Sequence, residues 1–422
     1  MLLQNVKLKG FDNNVDIRII DGKFSEISEN LLPSQGEEVI DGNGYMALPP
    51  YVDSHCHLDY VGTCGQPVFN MSGTLFEGID IWAERKKSIS REDIIERASK
   101  VIKWQVANGT QHIRTHVNVD EPGLVSMATL LELREKFRDL ADIQIVAFPQ
   151  HGVLNYENAL ELTEEALRMG ADVVGAIPHF EDTREDSVES LKKIFDLAER
   201  YNVLVDVHCD ETDDEQSRCV EVVAAEAFKR GLGSRVTASH TTAMHSYNNA
   251  YCYKLFGVLK KSGINFVTNP PINTHLQGRY DSYPMRRGIT RIRELTEEGM
   301  NVSMGTDDIM DPFYPLGAGD MLEVLQMGIH VGHLTGYSQL INALDYITCN
   351  GAKTLNIADG YGIEVGKDAS LNLIPADDAY DLIRRSVKPC MSIRKGKVIA
   401  SKAPEVVTLS RGKNKEYVDF RL

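Results

Sequence analysis

The sequence predicts an α/β protein, namely a (β/α)8 barrel of the TIM type with a small β-sandwich domain formed by both ends of the chain. Between residues 49 and 362, eight short apolar runs alternate with segments of helical periodicity, which is typical of parallel βα units. Before and after this region, apolar and polar residues alternate with the period of β-strands. Eight βα units close into a barrel whose active site lies at the carboxyl ends of the strands, and several of these ends carry histidine or acidic residues.

The two ends of the chain, residues 1–48 and 363–422, are predicted to form the small β-domain together. In the first segment, Asp21-Gly22 is a hairpin turn signal between two alternating runs. In the last segment, Lys395-Gly396 separates two further runs of the same kind. The two segments bracket the predicted catalytic barrel, residues 49–362, so we expect one β-domain built from both termini.

The barrel region supplies eight strand candidates and the helices between them. The strands are predicted at residues 47–54, 111–117, 143–149, 172–178, 203–208, 235–240, 264–268 and 301–305. The helices are predicted at Ser90–Ala107, Val125–Leu140, Asn158–Met169, Val188–Tyr201, Asp213–Arg230, Asn248–Ser262 and Arg287–Glu298, with two more at 318–334 and 338–354. Two long segments without clear periodicity, Gly62–Trp82 and Pro270–Arg287, are expected to be loops that cover the site.

Composition and charge exclude several classes of partner. The 45 Lys and Arg residues against 61 Asp and Glu residues give a net charge of −16, which argues against nucleic acid or an anionic membrane as a partner. The seven cysteines are odd in number and form no C-x-x-C pair, as in a cytoplasmic protein with reduced thiols. The first ten residues lack a signal-peptide pattern, and no apolar run is long enough to span a bilayer. We therefore expect a cytoplasmic protein that acts on a small molecule.

The predicted strand ends carry a set of metal-ligating side chains. His55 and His57 lie two apart on the first strand, so both point to the same face. His208 follows the fifth strand and Asp307 follows the eighth. Three imidazoles and one carboxylate suit Zn(II) or Fe(II), and the sequence does not choose between them. A two-metal site would need a bridging lysine at the fourth strand, which ends at His179 instead, so one divalent metal per subunit is predicted.

Three residues near the predicted metal are assigned catalytic roles. A metal with an open coordination position lowers the pKa of a bound water to about 7, which makes water a nucleophile at neutral pH. Asp307 is positioned to accept the proton of that water, and Glu211, three residues beyond His208, is the predicted general acid. His240, after the sixth strand, is predicted to orient the water or to stabilise the developing negative oxygen. His116 and His245 remain open between contacts near the site and simple packing.

The motifs that surround these residues resemble the amidohydrolase superfamily, and within it the bacterial cytosine deaminases. The resemblance implies the same four metal ligands, Glu211 as the acid, the amidohydrolase type of barrel, and a homo-oligomer such as a hexamer. The motifs that carry the resemblance extend through the whole barrel: Ser54–Asp59, Ser72–Gly78, Ala147–Gln150, Gly175–Glu181, Asp206–Glu211, Ser239–His245, His275–Arg279, Asp307-Asp308 and Asp311–Gly317.

The resemblance also implies three substrate-binding residues. Gln150 matches the glutamine whose amide pairs with the pyrimidine edge, since an amide offers both a donor and an acceptor. Asp308 matches an aspartate near the amino group of the substrate, and Phe313 stands where an aromatic wall is expected. Two residues depart from the expected pattern. Thr306 stands where a histidine is expected and His151 where an acidic residue is expected, and both differences concern the shape of the substrate pocket rather than the metal site.

The predicted function is the metal-dependent hydrolytic deamination of cytosine to uracil and ammonia. Water attacks C4 of the ring while Glu211 protonates ring nitrogen N3. The same chemistry on 5-methylcytosine, isoguanine or creatinine is the enzymatic alternative. A non-catalytic metalloprotein that binds a pyrimidine is the alternative from another class. Hydrolysis of a cyclic amide is disfavoured by the missing lysine.

Overall fold

The computed structural model describes residues 1–121 and 123–421. The chain begins with five strands, β1 (Leu2–Leu8), β2 (Val15–Ile20), β3 (Lys23–Ser28), β4 (Val39–Asp41) and β5 (Met46–Leu48). The predicted turn Asp21-Gly22 joins β2 to β3, and both of its residues have positive φ, 51° and 75°, as a two-residue hairpin turn of type I′ requires.

The barrel follows with eight parallel strands. They are β6 (Tyr51–Cys56), β7 (Thr110–Asn118), β8 (Asp142–Phe148), β9 (Val173–Ala176), β10 (Leu204–Cys209), β11 (Val236–His240), β12 (Asn265–Thr268) and β13 (Val302–Met304). Strands that are consecutive in the chain are neighbours in the sheet, which confirms the predicted eight-stranded barrel.

The first and last barrel strands meet at their carboxyl ends. The backbone N–H of His57 donates to the Asp307 carbonyl at 3.1 Å, and the N–H of Asp307 donates to the His55 carbonyl at 2.8 Å. Gly305 permits this approach, because a Cβ at that position would lie only 2.6 Å from the His55 carbonyl oxygen. The contact places the His-x-His motif directly beside Asp307.

Helices surround the barrel, mostly where the periodicity predicts them. Their bounds are α1 (Leu75–Arg85), α2 (Arg91–Ala107), α3 (Val125–Lys136), α4 (Ala159–Met169), α5 (Arg184–Tyr201), α6 (Cys219–Lys229), α7 (Asn249–Ser262), α8 (Pro270–Leu276), α9 (Ile292–Glu297), α10 (Met321–Val331), α11 (Tyr337–Asn342) and α12 (Cys349–Thr354). Within the described ranges, none of the helices is long and apolar enough to cross a membrane.

Three sequence predictions are corrected by the structure. The loop predicted at Gly62–Trp82 contains the start of α1, whose N-cap Thr74 accepts a hydrogen bond from the N–H of Glu77. The loop predicted at Pro270–Arg287 begins with the short helix α8. The strand predicted at 47–54 is two strands, because Pro49-Pro50 lacks the N–H donors that a continuous ladder needs, and β5 and β6 belong to different sheets.

The last segment of the chain returns to the N-terminal strands. It forms β14 (Leu371–Ile374), the helix α13 (Ala379–Arg385), β15 (Met391–Arg394) and β16 (Lys397–Ser401). The hydrogen-bonded order is β16-β15-β14-β5-β1-β2-β3, with β4 beside β1, so the predicted separate sheet from both termini is confirmed. A hairpin of β17 (Val407–Arg411) and β18 (Asn414–Val418) stands apart from it, and its second strand was not predicted.

The terminal sheet has an apolar core of its own. Leu3 and Phe24 from the first segment share it with Leu371 and Ile393 from the last. One cluster that holds residues from both segments agrees with a small domain built from both ends of the chain, and its finer description as a β-sandwich stays a prediction. We keep residues 1–48, 49–362 and 363–422 as the proposed division into domains.

Candidate active site and metal centre

The four predicted metal ligands lie together at the carboxyl end of the barrel. The ligand atoms of His55, His57, His208 and Asp307 are all within 4.8 Å of one another, and all four residues are buried. Asp307 Oδ1 lies 3.3 Å from His55 Nε2 and 3.4 Å from His57 Nε2. The structure thus brings together side chains that are separated by up to 252 positions in the sequence.

This group of atoms fits a divalent cation. His57 Nε2 and His208 Nε2 face each other at 3.2 Å, and His55 Nε2 is buried without a hydrogen-bond partner among the described residues. Buried polar atoms normally have a partner, and a cation among these four side chains would provide one for each. Three imidazole nitrogens and a carboxylate oxygen form the kind of donor set that holds Zn²⁺ or Fe²⁺.

Three buried polar residues beneath the cluster fix the orientation of His55. The Ser239 hydroxyl donates to Asp206 Oδ1 at 2.6 Å, and His55 Nδ1 lies 3.1 Å from the same hydroxyl oxygen. Because the only hydroxyl proton is directed to the carboxylate, the serine oxygen accepts the proton on His55 Nδ1. This leaves the lone pair of His55 Nε2 available to a metal. Arg114 donates to the other oxygen of Asp206 at 2.8 Å, and all four side chains are fully buried.

Glu211 and His240 form a neutral pair beside Asp307. A Glu211 carboxyl oxygen lies 3.3 Å from His240 Nδ1, which in turn lies 3.8 Å from Asp307 Oδ2. Burial and the nearby charge of Asp307 raise the pKa of Glu211 well above its usual value, which favours the protonated carboxyl. Burial lowers the pKa of His240 to about 3, although Asp307 opposes this shift, so its imidazole is neutral.

Asn273, which the sequence analysis did not single out, sets the tautomer of His240. Its side-chain amide lies 3.0 Å from His240 Nδ1 and donates to it. The ring proton is therefore on His240 Nε2, which is buried and has no hydrogen-bond partner among the described residues. Asn273 lies on α8, inside the segment predicted to be a loop, and this explains why it was missed.

The predicted substrate residues line the same end of the barrel. Gln150 follows β8, and its Oε1 accepts a hydrogen bond from the Tyr60 hydroxyl at 2.8 Å. Phe313 packs in a small aromatic cluster with Tyr60 and Trp82. The ring of Tyr60 is also stacked on that of His57, with centroids 5.0 Å apart and an angle of 4° between the planes. Tyr60 and Trp82 were not identified from the sequence.

Asp308 is buried beside a second carboxyl group, that of Asp311. Burial raises the pKa of Asp308 well above its usual value, and the neighbouring Asp311 raises it further. The pKa of Asp311 is raised by burial to about 6, although backbone N–H groups of Phe313 and Tyr314 donate to it. Two adjacent buried carboxyls share protons in this way because both cannot ionise.

The residues that depart from the expected pattern have structural contacts. Thr306 donates through its hydroxyl to Asp53 at 2.6 Å, which holds the turn before Asp307. His151 lies 2.8 Å from Asp120 through Nδ1 and is directed to that carboxylate. His116, whose role the sequence left open, packs against one of the four predicted metal ligands, with its ring centroid 3.9 Å from that of His55.

Comparison with known proteins matches nearly the whole chain. A model described as the amidohydrolase family matches residues 38–400. The crystal structure of 5-methylcytosine deaminase from Klebsiella pneumoniae liganded with 5-fluorocytosine has a TM-score of 0.94 and 47% identity, covering 96% of this chain and 99% of that one.

Two curated relatives extend the comparison. N-isopropylammelide isopropyl amidohydrolase from Pseudomonas sp. (strain ADP) is 29% identical over 94% of this chain and 96% of its own length. Pterin deaminase from Rhizobium rhizogenes is 28% identical over 92% of this chain and 89% of its own length. The matched region includes the barrel and strands of the terminal sheet alike.

Proposed function

Because the chain belongs to the amidohydrolase family, we propose that it removes the amino group of a cytosine-type base by hydrolysis, with 5-methylcytosine as the favoured substrate. The observation that carries this proposal is the 47% identity, along nearly the full chain, to 5-methylcytosine deaminase from Klebsiella pneumoniae. The coarser prediction, a hydrolytic deaminase, is supported by the same comparison. Cytosine, the substrate expected from the sequence, is the second candidate because the motifs resemble those of bacterial cytosine deaminases.

The metal-binding residues in this proposal are His55, His57, His208 and Asp307, with one Zn²⁺ or Fe²⁺ per chain. A metal held there supplies Lewis-acid activation of the attacking water. Ser239 supports this arrangement by holding the His55 tautomer that keeps Nε2 free. Asp307 Oδ2 lies on the side of His240, 3.8 Å from its Nδ1, and is the base that accepts the proton of the water.

The reaction proceeds by addition of water to C4 of the ring. Glu211, protonated in its buried site, gives its proton to ring nitrogen N3 as the water oxygen bonds to C4. His240 lies beside Glu211 and Asp307, and its imidazole orients the water or stabilises the negative charge that develops on the oxygen. Glu211 then takes back a proton from the new hydroxyl group, and Asp307 delivers its proton to the amino nitrogen. The C4–N bond breaks to release ammonia and leave the ring carbonyl.

Three side chains bind the base in this proposal. Gln150 pairs with the polar edge of the ring, and Asp308 lies near the amino group. Phe313 closes the pocket through its aromatic cluster with Tyr60 and Trp82. Burial favours these contacts, because water that would compete for the polar edge is excluded.

The test is ammonia release by protein reconstituted separately with Fe(II) and with Zn(II). The substrates are 5-methylcytosine, cytosine, isoguanine and creatinine. Release from 5-methylcytosine faster than from cytosine is the expected result, and the more active metal identifies the cofactor. Release from cytosine alone would establish the second candidate. Release from none of the rings, with metal confirmed to be bound, would contradict catalysis and favour a protein that only binds pyrimidines.

The assembly of the chain is a separate question. The homo-oligomer implied by the family resemblance, such as a hexamer, stays a prediction. Light scattering on the purified protein gives its molar mass, which is compared with the 47.1 kDa of one chain.

A further inference from the structure

We propose that Tyr60 is a positioning residue that turns the amide of Gln150 so that its NH2 group faces the base, which selects rings that carry a carbonyl at C2. This inference rests on the proposed function, because it assumes that Gln150 contacts the base. It concerns a residue that the catalytic scheme does not use. It also specifies the class of substrate, because the NH2 group of the amide then recognises a hydrogen-bond acceptor, the C2 carbonyl, next to ring nitrogen N3.

The first observation is the direction of the hydrogen bond between the two side chains. The Tyr60 hydroxyl donates to Gln150 Oε1 at 2.8 Å, and no other hydrogen bond engages the Gln150 side chain among the described residues. The Tyr60 hydroxyl makes no other hydrogen bond among the described residues, so Gln150 Oε1 is the one acceptor that they offer to its proton. A buried hydroxyl proton needs an acceptor, and the phenol therefore acts as the donor.

The second observation is that the Tyr60 ring is held in place on several sides. It is stacked on the ring of the predicted ligand His57, and the ring of Trp82 lies 4.3 Å away between centroids. Phe313 packs from a third direction at 5.9 Å. Only 1% of Tyr60 is exposed, so its hydroxyl occupies a fixed point near the predicted metal ligands.

These two observations determine what Gln150 offers to a ligand. A carboxamide has an oxygen and an NH2 group of nearly equal size, so without a partner it can present either one. The fixed donor of Tyr60 binds the oxygen and leaves the two N–H groups for the pocket. Cytosine and 5-methylcytosine carry an acceptor carbonyl at C2, next to ring nitrogen N3, and this carbonyl is the group that the amide would bind.

The test compares the binding of two rings that have no amino group to lose. Pyrimidin-2-one carries the carbonyl at C2 and pyrimidine does not, and both are titrated calorimetrically into the metal-loaded protein. The variant Tyr60→Phe removes only the hydroxyl and keeps the stacked ring. We expect it to weaken pyrimidin-2-one binding about tenfold, the effect of one hydrogen bond. Pyrimidine binding should change less than about twofold, and metal content should be unchanged.

A double-mutant cycle with Gln150→Ala separates positioning from general packing. If Tyr60 acts through the amide, Tyr60→Phe has no further effect on pyrimidin-2-one binding in the Gln150→Ala background. Tyr361→Phe is the control, because this buried tyrosine donates to the Pro50 carbonyl at the opposite end of the barrel. Equal weakening of both rings, or additive effects in the cycle, would overturn the proposal.

Failure of the Tyr60 proposal can be distinguished from failure of the proposed function, because the titration measures binding and needs no turnover. Selective loss of pyrimidin-2-one binding in a protein that releases no ammonia would support the role of Tyr60 and contradict the deaminase. Normal deamination, together with equal weakening of both rings by Tyr60→Phe, would support the deaminase and contradict the role of Tyr60. A wild-type protein that binds neither ring would contradict the role of Tyr60, and ammonia release would then decide the proposed function by itself.

Discussion

The substitution Ser239→Ala tests how the chain prepares His55 for a metal. It removes the hydroxyl oxygen that lies 3.1 Å from His55 Nδ1 and also the donor that reaches Asp206 at 2.6 Å. Asp206 keeps its ion pair with Arg114, so the fold retains the stronger contact of this carboxylate. His55 loses the acceptor that holds its proton on Nδ1. The tautomer with the proton on Nε2 then becomes more populated, and in that tautomer Nε2 has no lone pair for the metal.

The expected magnitude follows from comparable contacts to metal-ligating histidines. Loss of such an outer partner typically costs about 10- to 100-fold in metal affinity, or about 1.4 to 2.7 kcal/mol. The assay is competition for Zn²⁺ with a chromophoric chelator, accompanied by urea unfolding of the metal-free protein. Weaker binding of the metal by Ser239→Ala with little change in unfolding is the predicted result.

A matched control distinguishes this effect from a general loss of stability. Ser303 is also a fully buried serine on a barrel strand, but its hydroxyl contacts Thr354 at 2.8 Å and none of the predicted ligands. Ser303→Ala should leave the metal affinity unchanged. An affinity of Ser239→Ala within about twofold of wild type, or an equal loss in both variants, would refute the role assigned to Ser239.

Three further predictions concern stability, chemistry and substrate choice. Arg114→Met leaves Asp206 buried without its cation, so urea unfolding should show a loss of about 3 to 5 kcal/mol, and a loss below about 1 kcal/mol would contradict the pairing. Glu211→Gln should lower kcat by about 10²- to 10⁴-fold at unchanged metal content, and near-normal turnover would exclude it as the acid. Asp308→Ser should raise the ratio of kcat/KM for 5-methylcytosine over cytosine by enlarging the pocket, and an unchanged ratio would place Asp308 outside it.

The positions of the predicted metal ligands could be inferred from the sequence because they depend on local periodicity. His55 and His57 share a face on any strand, and the carboxyl ends of parallel strands meet at one end of a barrel. The alternation of strand and helix therefore predicted both the barrel and the place of His208 and Asp307. No knowledge of distances between strands was needed for this step.

The contacts that orient these ligands depend on strand register, which the sequence does not encode locally. Ser239 reaches Asp206 because β10 and β11 pair with Asp206 opposite Thr237 and His208 opposite Ser239. A shift of one residue would turn Ser239 away. The sequence motifs contained both residues, but nothing in their spacing indicated that they touch each other or His55.

Three helices, α1, α8 and α13, were not predicted, and the first two were missed for different physical reasons. The start of α1 carried a capping signature, Thr74 followed by Glu77, but the glycines and the proline in the segment before it, residues 62–73, favoured a loop. Helix α8 spans seven residues and begins with two prolines, so it is too short to show helical periodicity. Because α8 carries Asn273 and α1 carries Trp82, two parts of the site were missed with them.

The most direct test of the proposed one-metal deaminase is a metal titration with substrate present. Metal-free protein receives Fe(II) or Zn(II) in steps, and thymine formation from 5-methylcytosine is recorded together with bound metal. The proposed site predicts no activity without metal and a linear rise that ends at one metal per chain. Activity in the metal-free protein, a need for two metals per chain, or no thymine at full occupancy would contradict it.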